Sequence, residues 1–447
     1  MILKGIVGTT TIIATTLLLL SGTNTAKATS PDPAAETLSL EQAITLAEAN
    51  SPLLKAAAND IDAATAGITK SNSAYFPRLD AHLHYTALHP VSQMSFPGDP
   101  VPIKFMPNDN YDARITASAV LLDFGQRKLR VEQANTNLTT ATTKQELTKR
   151  ELDWQSIQLF YGILFLRAHI TVTDKEIAAL QTALDYSKKR YRAGTATPFD
   201  LFATETRLAD ARSRRLGLRH ELTRYELSLR QLTALPDTNP LNLNGSFAIP
   251  SLSNNNQESL TTRALGNRSE LLLMKEAETG ATQEEQLALK KGMPVLTASL
   301  SAGYLNGYQP DIYEMRSNTS VSLDLAIPIF SGFGIRAEQA RQRSMRQAAS
   351  QRRIDTEQQI KTEVAATIDA RNTALEQIGA TETQLRQAEL AARHARSRYE
   401  NGMATTLDLL NTETALSQAE FARLSAAHAC VMQTYRLRLA TGSPLLP

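Results

Sequence analysis

The chain has 447 residues, 42% of them apolar and 21% charged, with a single cysteine, so a disulfide framework, an iron–sulfur cluster and a thiolate zinc site are excluded. Aromatic residues make up only 6%, and a core assembled from Ala, Leu and Ile points to thin, long elements. Lys and Arg together number 47 against 45 Asp and Glu, without the basic excess that a nucleic-acid binder carries.

Residues 1–28 combine Lys4, an apolar stretch over 12–20 and Ala26-Lys27-Ala28. This is the layout of a secretory signal with a small-x-small cleavage site. A plain membrane anchor is the alternative, against which the apolar run falls short of the roughly 20 residues that span a bilayer. Removal of the segment takes Lys4 and Lys27 with it and leaves 45 basic against 45 acidic residues, a neutral mature chain. No cysteine lies near position 28 for lipid attachment; the only one is Cys430.

A helix is predicted over about 52–74, with Pro52 in its first turn. The texture then changes to period two. Leu79, Ala81, Leu83 and Tyr85 alternate with Asp80, His82 and His84, and Tyr111, Ala113, Ile115, Ala117 and Ala119 alternate with Asp112, Arg114, Thr116 and Ser118, which predicts strands over 79–88 and 111–122 with one apolar and one polar face. No proline falls between Pro107 and Pro198. Because proline removes a helix hydrogen bond and clashes with the preceding turn, the Ala-, Gln-, Glu- and Arg-rich interval reads as one helix over 126–192. At 1.5 Å per residue that is roughly 100 Å, far beyond a globular helix. The apolar block 157–166 inside it is too short to span a bilayer and is bounded by Glu151, Asp153 and Arg167. Gly194 ends this helix and Pro198 starts a return helix over 198–235.

The chain then repeats itself. Residues 190–236 and 398–444, at an offset of 208, are identical at 19 of 47 positions. Asn50 and Pro77 match Asn267 and Pro294, and Phe124-Gly125 matches Phe333-Gly334. The second half accordingly predicts a helix over 269–291, strands over 295–305 and 318–328, a long helix over 335–400 and a return helix over 405–441. A signal (1–28), a first repeat (29–236), a linker (237–257) and a second repeat (258–447) account for the whole chain. Short and return helices stacked end to end nearly match each long helix, so the unit is a pair of rods with coiled-coil seams.

Strands of about ten residues, with Tyr, Phe or Pro near their ends, have the length and girdle of membrane β-barrel strands; a small soluble sheet packed on the helices is the alternative. Four strands cannot close a barrel, and an open sheet edge in lipid leaves backbone groups unpaired. Three copies give twelve strands running into twelve rods around a polar, hollow interior.

The chain resembles the TolC family of outer membrane efflux proteins over nearly all of its mature length. The resemblance rests on the tips Arg190-Tyr191, Gly194, Asp200-Leu201 and Arg398-Tyr399, Gly402, Asp408-Leu409-Leu410, on the joints 122–125 and 328–334, and on the tandem repeat. It implies an α+β membrane protein: a homotrimeric twelve-stranded β-barrel, four strands per chain, continuous with a long periplasmic α-helical coiled-coil barrel. It further implies an exit duct in the outer membrane, joined to a periplasmic adaptor and an inner membrane pump, with no catalytic site and no cofactor of its own. Asp200 and Asp408 fall where such a tunnel narrows, with Tyr399 and Thr197 as hydrogen-bonding groups at the entrance; an acidic ring there selects cations. Helix-dipole stabilisation by a first-turn Asp is the plainer account of both. The small-residue tips Gly194, Thr195, Ala196 and Gly402, Met403, Ala404 correspond to the adaptor-docking ends. Ala404 and Asn411 depart from the family pattern of an Arg and a second acid, which implies an entrance less negative and less tightly latched.

His82 and His84 share one strand face but lack a third ligand, and His220 and His428 read as outward-facing helix residues. No phosphate loop, nucleophile elbow or HExxH occurs, so an enzyme is not expected. A periplasmic coiled-coil tether or adaptor without a pore is the alternative function.

Overall fold

The computed structural model describes residues 37–98, 101–236, 241–248 and 256–446; the signal segment and part of the linker lie outside them. In chain order the elements are α1 (Leu40–Asn50), α2 (Pro52–Asn72), β1 (Arg78–Ala87), β2 (Gln93–Met94), β3 (Ile103–Lys104), β4 (Asp109–Leu122), α3 (Gln126–Arg192), α4 (Pro198–Thr233), α5 (Gln257–Asn267), α6 (Ser269–Lys290), β5 (Val295–Leu305), β6 (Arg316–Ala326), α7 (Gly334–Glu400) and α8 (Thr406–Ala440). Beyond the expected elements are the capped helices α1 and α5 and the small β2–β3 hairpin, which sits in the longer loop of the first repeat.

Each long helix has 67 residues. Threonines are tolerated inside α3 because Thr136, Thr140, Thr143 and Thr148 each donate to the carbonyl four residues back, which satisfies the hydroxyl locally. The seams between rods are built on small residues: Ala211, Ala392 and Ala419 are fully buried. Gly162 serves the same end, since a Cβ there would come within 2.5 Å of the Tyr225 ring of α4. Both α2 and α4 pack along α3, and both α6 and α8 along α7, as end-to-end stacking requires.

The largest apolar cluster lies midway along α3, where Ile157, Phe160 and Tyr161 meet Ala43 and Ile44 of α1, Val431 and Tyr435 of α8, and Leu445. Burying each of these larger side chains contributes about 1.5–3 kcal/mol, and the block 157–166 is thereby explained as packing. The described part of the linker, 241–248, joins this layer through Leu243 and Phe247; Leu38 bridges to Leu243. His428 is a correction to the outward-facing expectation: its ring packs 4.7 Å from Phe165 and 6.0 Å from Phe247, because the linker lays an aromatic side chain over α8. Burial lowers its pKa.

Where α1 docks on α3, Asp153 is pressed against Glu48, which Lys149 bridges at 3.0 Å. Burial first, then Glu48, raises the Asp153 pKa to about 7, with Lys149 opposing and Glu146 adding to the rise. A carboxyl that holds its proton more tightly folded than unfolded stabilises the native state at low pH, and that contribution is lost as pH rises through about 7. Amide exchange of α1 should therefore quicken between pH 5 and pH 8 beyond its intrinsic rate change, and Asp153→Asn should flatten that dependence.

The four long strands form one antiparallel sheet in the order β1-β4-β5-β6. Its register aligns Leu79, Ala117, Leu300 and Val321 in one row and Ala81, Ile115, Ala302 and Thr319 in the next. The result is a continuous apolar face in which Leu83 is 87% and Val321 76% exposed. The opposite face carries Asp80, His82, Thr116, Ser301 and Ser320, the two serines hydrogen-bonded across strands at 2.8 Å. Both His82 and His84 lie on this polar face, and no cluster of metal-ligating side chains surrounds them among the described residues. From Leu296 to Tyr304 the apolar row is roughly 27 Å long before tilt, close to the roughly 25 Å apolar band of outer membrane barrels. Tyr85, Tyr111 and Tyr304 mark one end of the face, and exposed Phe330 and Phe333 follow its other end. No described helix is long and apolar enough to cross a membrane.

Candidate functional site

At the end of the rods remote from the sheet, both hairpins turn in the same way. Gly194 and Gly402 adopt left-handed φ values of 71° and 74°. Thr195 N–H then donates to Arg190 O and Met403 N–H to Arg398 O, each at 2.8 Å. Two spare helix carbonyls are thus closed off in the manner of a Schellman turn, and glycine alone takes that φ without strain. Gly194, Thr195, Gly402 and Met403 are left exposed, Met403 by 62%.

The return helices start on reciprocal caps. Asp200 Oδ2 accepts from Thr197 N–H at 2.9 Å and from Thr197 Oγ1 at 2.7 Å; Asp408 accepts from Thr405 at 3.0 and 2.7 Å. These hydrogen bonds hold both carboxyls below the usual Asp range; Asp408 is exposed, whereas Asp200 is half-buried and also hydrogen-bonded by Thr406 of α8. The plainer account and the functional one are compatible here, since a cap fixes where the charge sits.

Tyr399 lies at the same tip with its side chain turned inward. It is 2% exposed, with its hydroxyl 3.1 Å from Ser187 Oγ of α3 and 3.4 Å from Thr406 Oγ1 of α8. The Arg190 guanidinium lies over its ring at 5.1 Å. The tyrosine therefore ties α3 to the α7–α8 turn inside one protomer. Arg207 of α4 makes a second tie, donating to Leu410 O at 3.2 Å, Thr414 Oγ1 at 2.6 Å and Asn411 Oδ1 at 3.1 Å. Asn411, in the sequence a lost acid, is here the acceptor of a latch. Glu413, only 5% exposed, is ion-paired with Arg396 across the α7–α8 hairpin. Ser187, Arg207 and Glu413 are not singled out by any motif, because each acquires its role only from a partner on another helix.

A family model described as outer membrane efflux protein matches residues 43–235 and 260–443, one block for each repeat. The chain belongs to the outer membrane efflux protein family. This efflux protein is 22% identical over 405 residues to the outer membrane protein TolC of Vibrio cholerae serotype O1, covering 89% of each chain. It is also 22% identical over 330 residues to the outer membrane efflux protein BepC of Brucella suis biovar 1, covering 73% of this chain and 71% of BepC. In structure it is similar to the outer membrane protein VceC from Vibrio cholerae, with a TM-score of 0.77, 19% sequence identity, and 91% of this chain and 96% of that one covered. It is an exit duct of the outer membrane. The family is one of channels rather than enzymes.

Proposed function

We propose that three copies of this chain close a twelve-stranded barrel in the outer membrane, and that the exposed tips dock a periplasmic adaptor joined to an inner membrane pump, which supplies the energy for transport. The observation that carries this reading is the sheet. It has a continuous exposed apolar face, and its outer strands β1 and β6 have no partner on their outer edges among the described residues. Lipid covers the first, and β1 against β6 of the next copy satisfies the second. The rods of a tether or adaptor would need no such face.

Purified mature protein should run as a trimer and give discrete conductance steps in a planar bilayer, and it should stay in membranes until detergent extracts it. A monomer released by carbonate would remove the duct reading.

The tip carboxylates form the selective entrance in this proposal, three copies each of Asp200 and Asp408 placing negative charge where the rods converge. Asp408→Asn retains a hydrogen-bonding cap while removing the charge. It should lower the cation-over-anion permeability ratio and weaken block by trivalent cations, both read from reversal potentials and titrated block in the same bilayer. An unchanged ratio would confine Asp408 to capping.

A further inference from the structure

The junction between sheet and rods holds a groove of about 650 Å³ that the duct as described above does not use. One wall is apolar, with Phe76 and Pro77; the other brings together Arg78, Arg127 and Arg130 against a single carboxylate, Asp123. Its strand floor is formed by Arg78, Ser118 and Thr297. Arg78 pairs with Ser118 and Val120 with Thr297 in the register that carries Asp80 and Thr116, so the groove opens on the polar face of the sheet.

The three guanidiniums are held differently. Arg127 is only 14% exposed and is fixed on all sides: Asp123 at 3.1 Å, the carbonyls of Ala74 and Leu121, and the Tyr75 ring at 4.8 Å. It neutralises Asp123 and keeps the elbow closed. Arg78 pairs with Asp80 at 2.9 Å with its side chain 79% exposed, an arrangement that water screens strongly. Arg130 is exposed and has no ion pair among the described residues. With the fixed pair cancelling, the groove presents solvent-exposed guanidinium donors beside the Phe76 ring. Arg is suited to oxyanions, two oxygens of which it meets with two parallel N–H donors.

We infer that this groove is a binding site for amphiphilic organic anions, a carboxylate, sulfonate or phosphate head on Arg78 and Arg130 with an apolar body against Phe76 and Pro77, taken up in transit from the helical tunnel to the barrel. The inference rests on the duct reading, which makes the polar face the lumen. Three copies give three such stations at one level. The tip carboxylates favour cations at the far end, so the junction offers a separate selection step for anionic cargo.

The test uses naphthalenesulfonate as the anionic probe and naphthylmethylammonium as its cationic counterpart, added to single channels of the trimer. The sulfonate should produce current blocks about ten-fold longer than the ammonium, and Arg78→Gln with Arg130→Gln should shorten them about ten-fold; Arg130→Lys should recover part of the dwell. Equilibrium dialysis of the same probes against solubilised trimer, read by their fluorescence, gives the comparison in a channel that stays closed. Equal retention of both probes, or an unchanged dwell in the double variant, overturns the site while leaving the conducting duct intact. Loss of the sulfonate blocks when phosphatidylglycerol is added to a phosphatidylcholine bilayer overturns the cargo reading and assigns the groove to a lipid headgroup. A protein that never inserts overturns duct and groove together.

Discussion

Trimers carrying Tyr399→Phe together with Arg207→Gln should be found open far more of the time than the unaltered protein. The two side chains are the ties between the α3–α4 and α7–α8 hairpins at their tips: the Tyr399 hydroxyl sits between Ser187 and Thr406, and Arg207 spans from α4 to three acceptors on α8. A neutral hydrogen bond contributes about 1 kcal/mol and one from a charged donor about 1.5–3 kcal/mol. Losing both ties removes roughly 3 kcal/mol from the tied arrangement of the two hairpins, about a hundred-fold in the ratio of tied to released tips. Open probability in a planar bilayer is the measurement. Ser187→Ala should reproduce most of the Tyr399→Phe effect and add little to it, since both break the same contact. An intact trimer whose gating is indifferent to the pair would place the restraint elsewhere.

The second large effect belongs to the sheet. Leu83 projects from the middle of β1 with 87% of its surface exposed, and in a water-facing sheet an arginine there would cost less than leucine does. On a lipid-facing strand the same Leu83→Arg change costs about 2–4 kcal/mol at the bilayer midplane, three times over in a trimer. The expected outcome is loss of the heat-modifiable trimer band and of assembly into vesicles, with Leu83→Val nearly neutral. His82→Arg, one residue away on the polar face, should leave assembly intact. That contrast separates a lipid face from a generally sensitive strand.

The long helices were legible because proline absence is a direct constraint on the backbone: within the intervals bounded by Pro107 and Pro198 and by Pro328 and Pro444, no proline interrupts the hydrogen-bond ladder of α3 or α7. The strand faces were legible for the same local reason, since a period of two assigns each side chain to a face whatever lies beyond. The extra helices α1 and α5 carry the local signals of caps at Ser39 and Asn256, but they are one helix of 11 residues each within segments where loop residues obscured the period. The small-residue tips and the first-turn acids were visible through the repeat. What Tyr399 and His428 face was not, because a rod seam rich in alanine lets a helix rotate about its axis with little change in pattern.

Sequence by itself therefore determined the lengths of the rods, the two-faced strands, the doubled architecture and the need for several copies, all properties that depend on neighbours a few residues apart or on identity at a constant offset. Tertiary structure alone decided that Tyr399 turns inward to Ser187, that Arg207 reaches Asn411, that His428 lies under Phe247, and that Arg78, Arg127 and Arg130 share one groove. Those contacts join elements separated by tens to hundreds of residues. The azimuth of each rod decides them, and that is set by how alanine seams and the aromatic layer around Phe160 and Tyr161 pack in three dimensions.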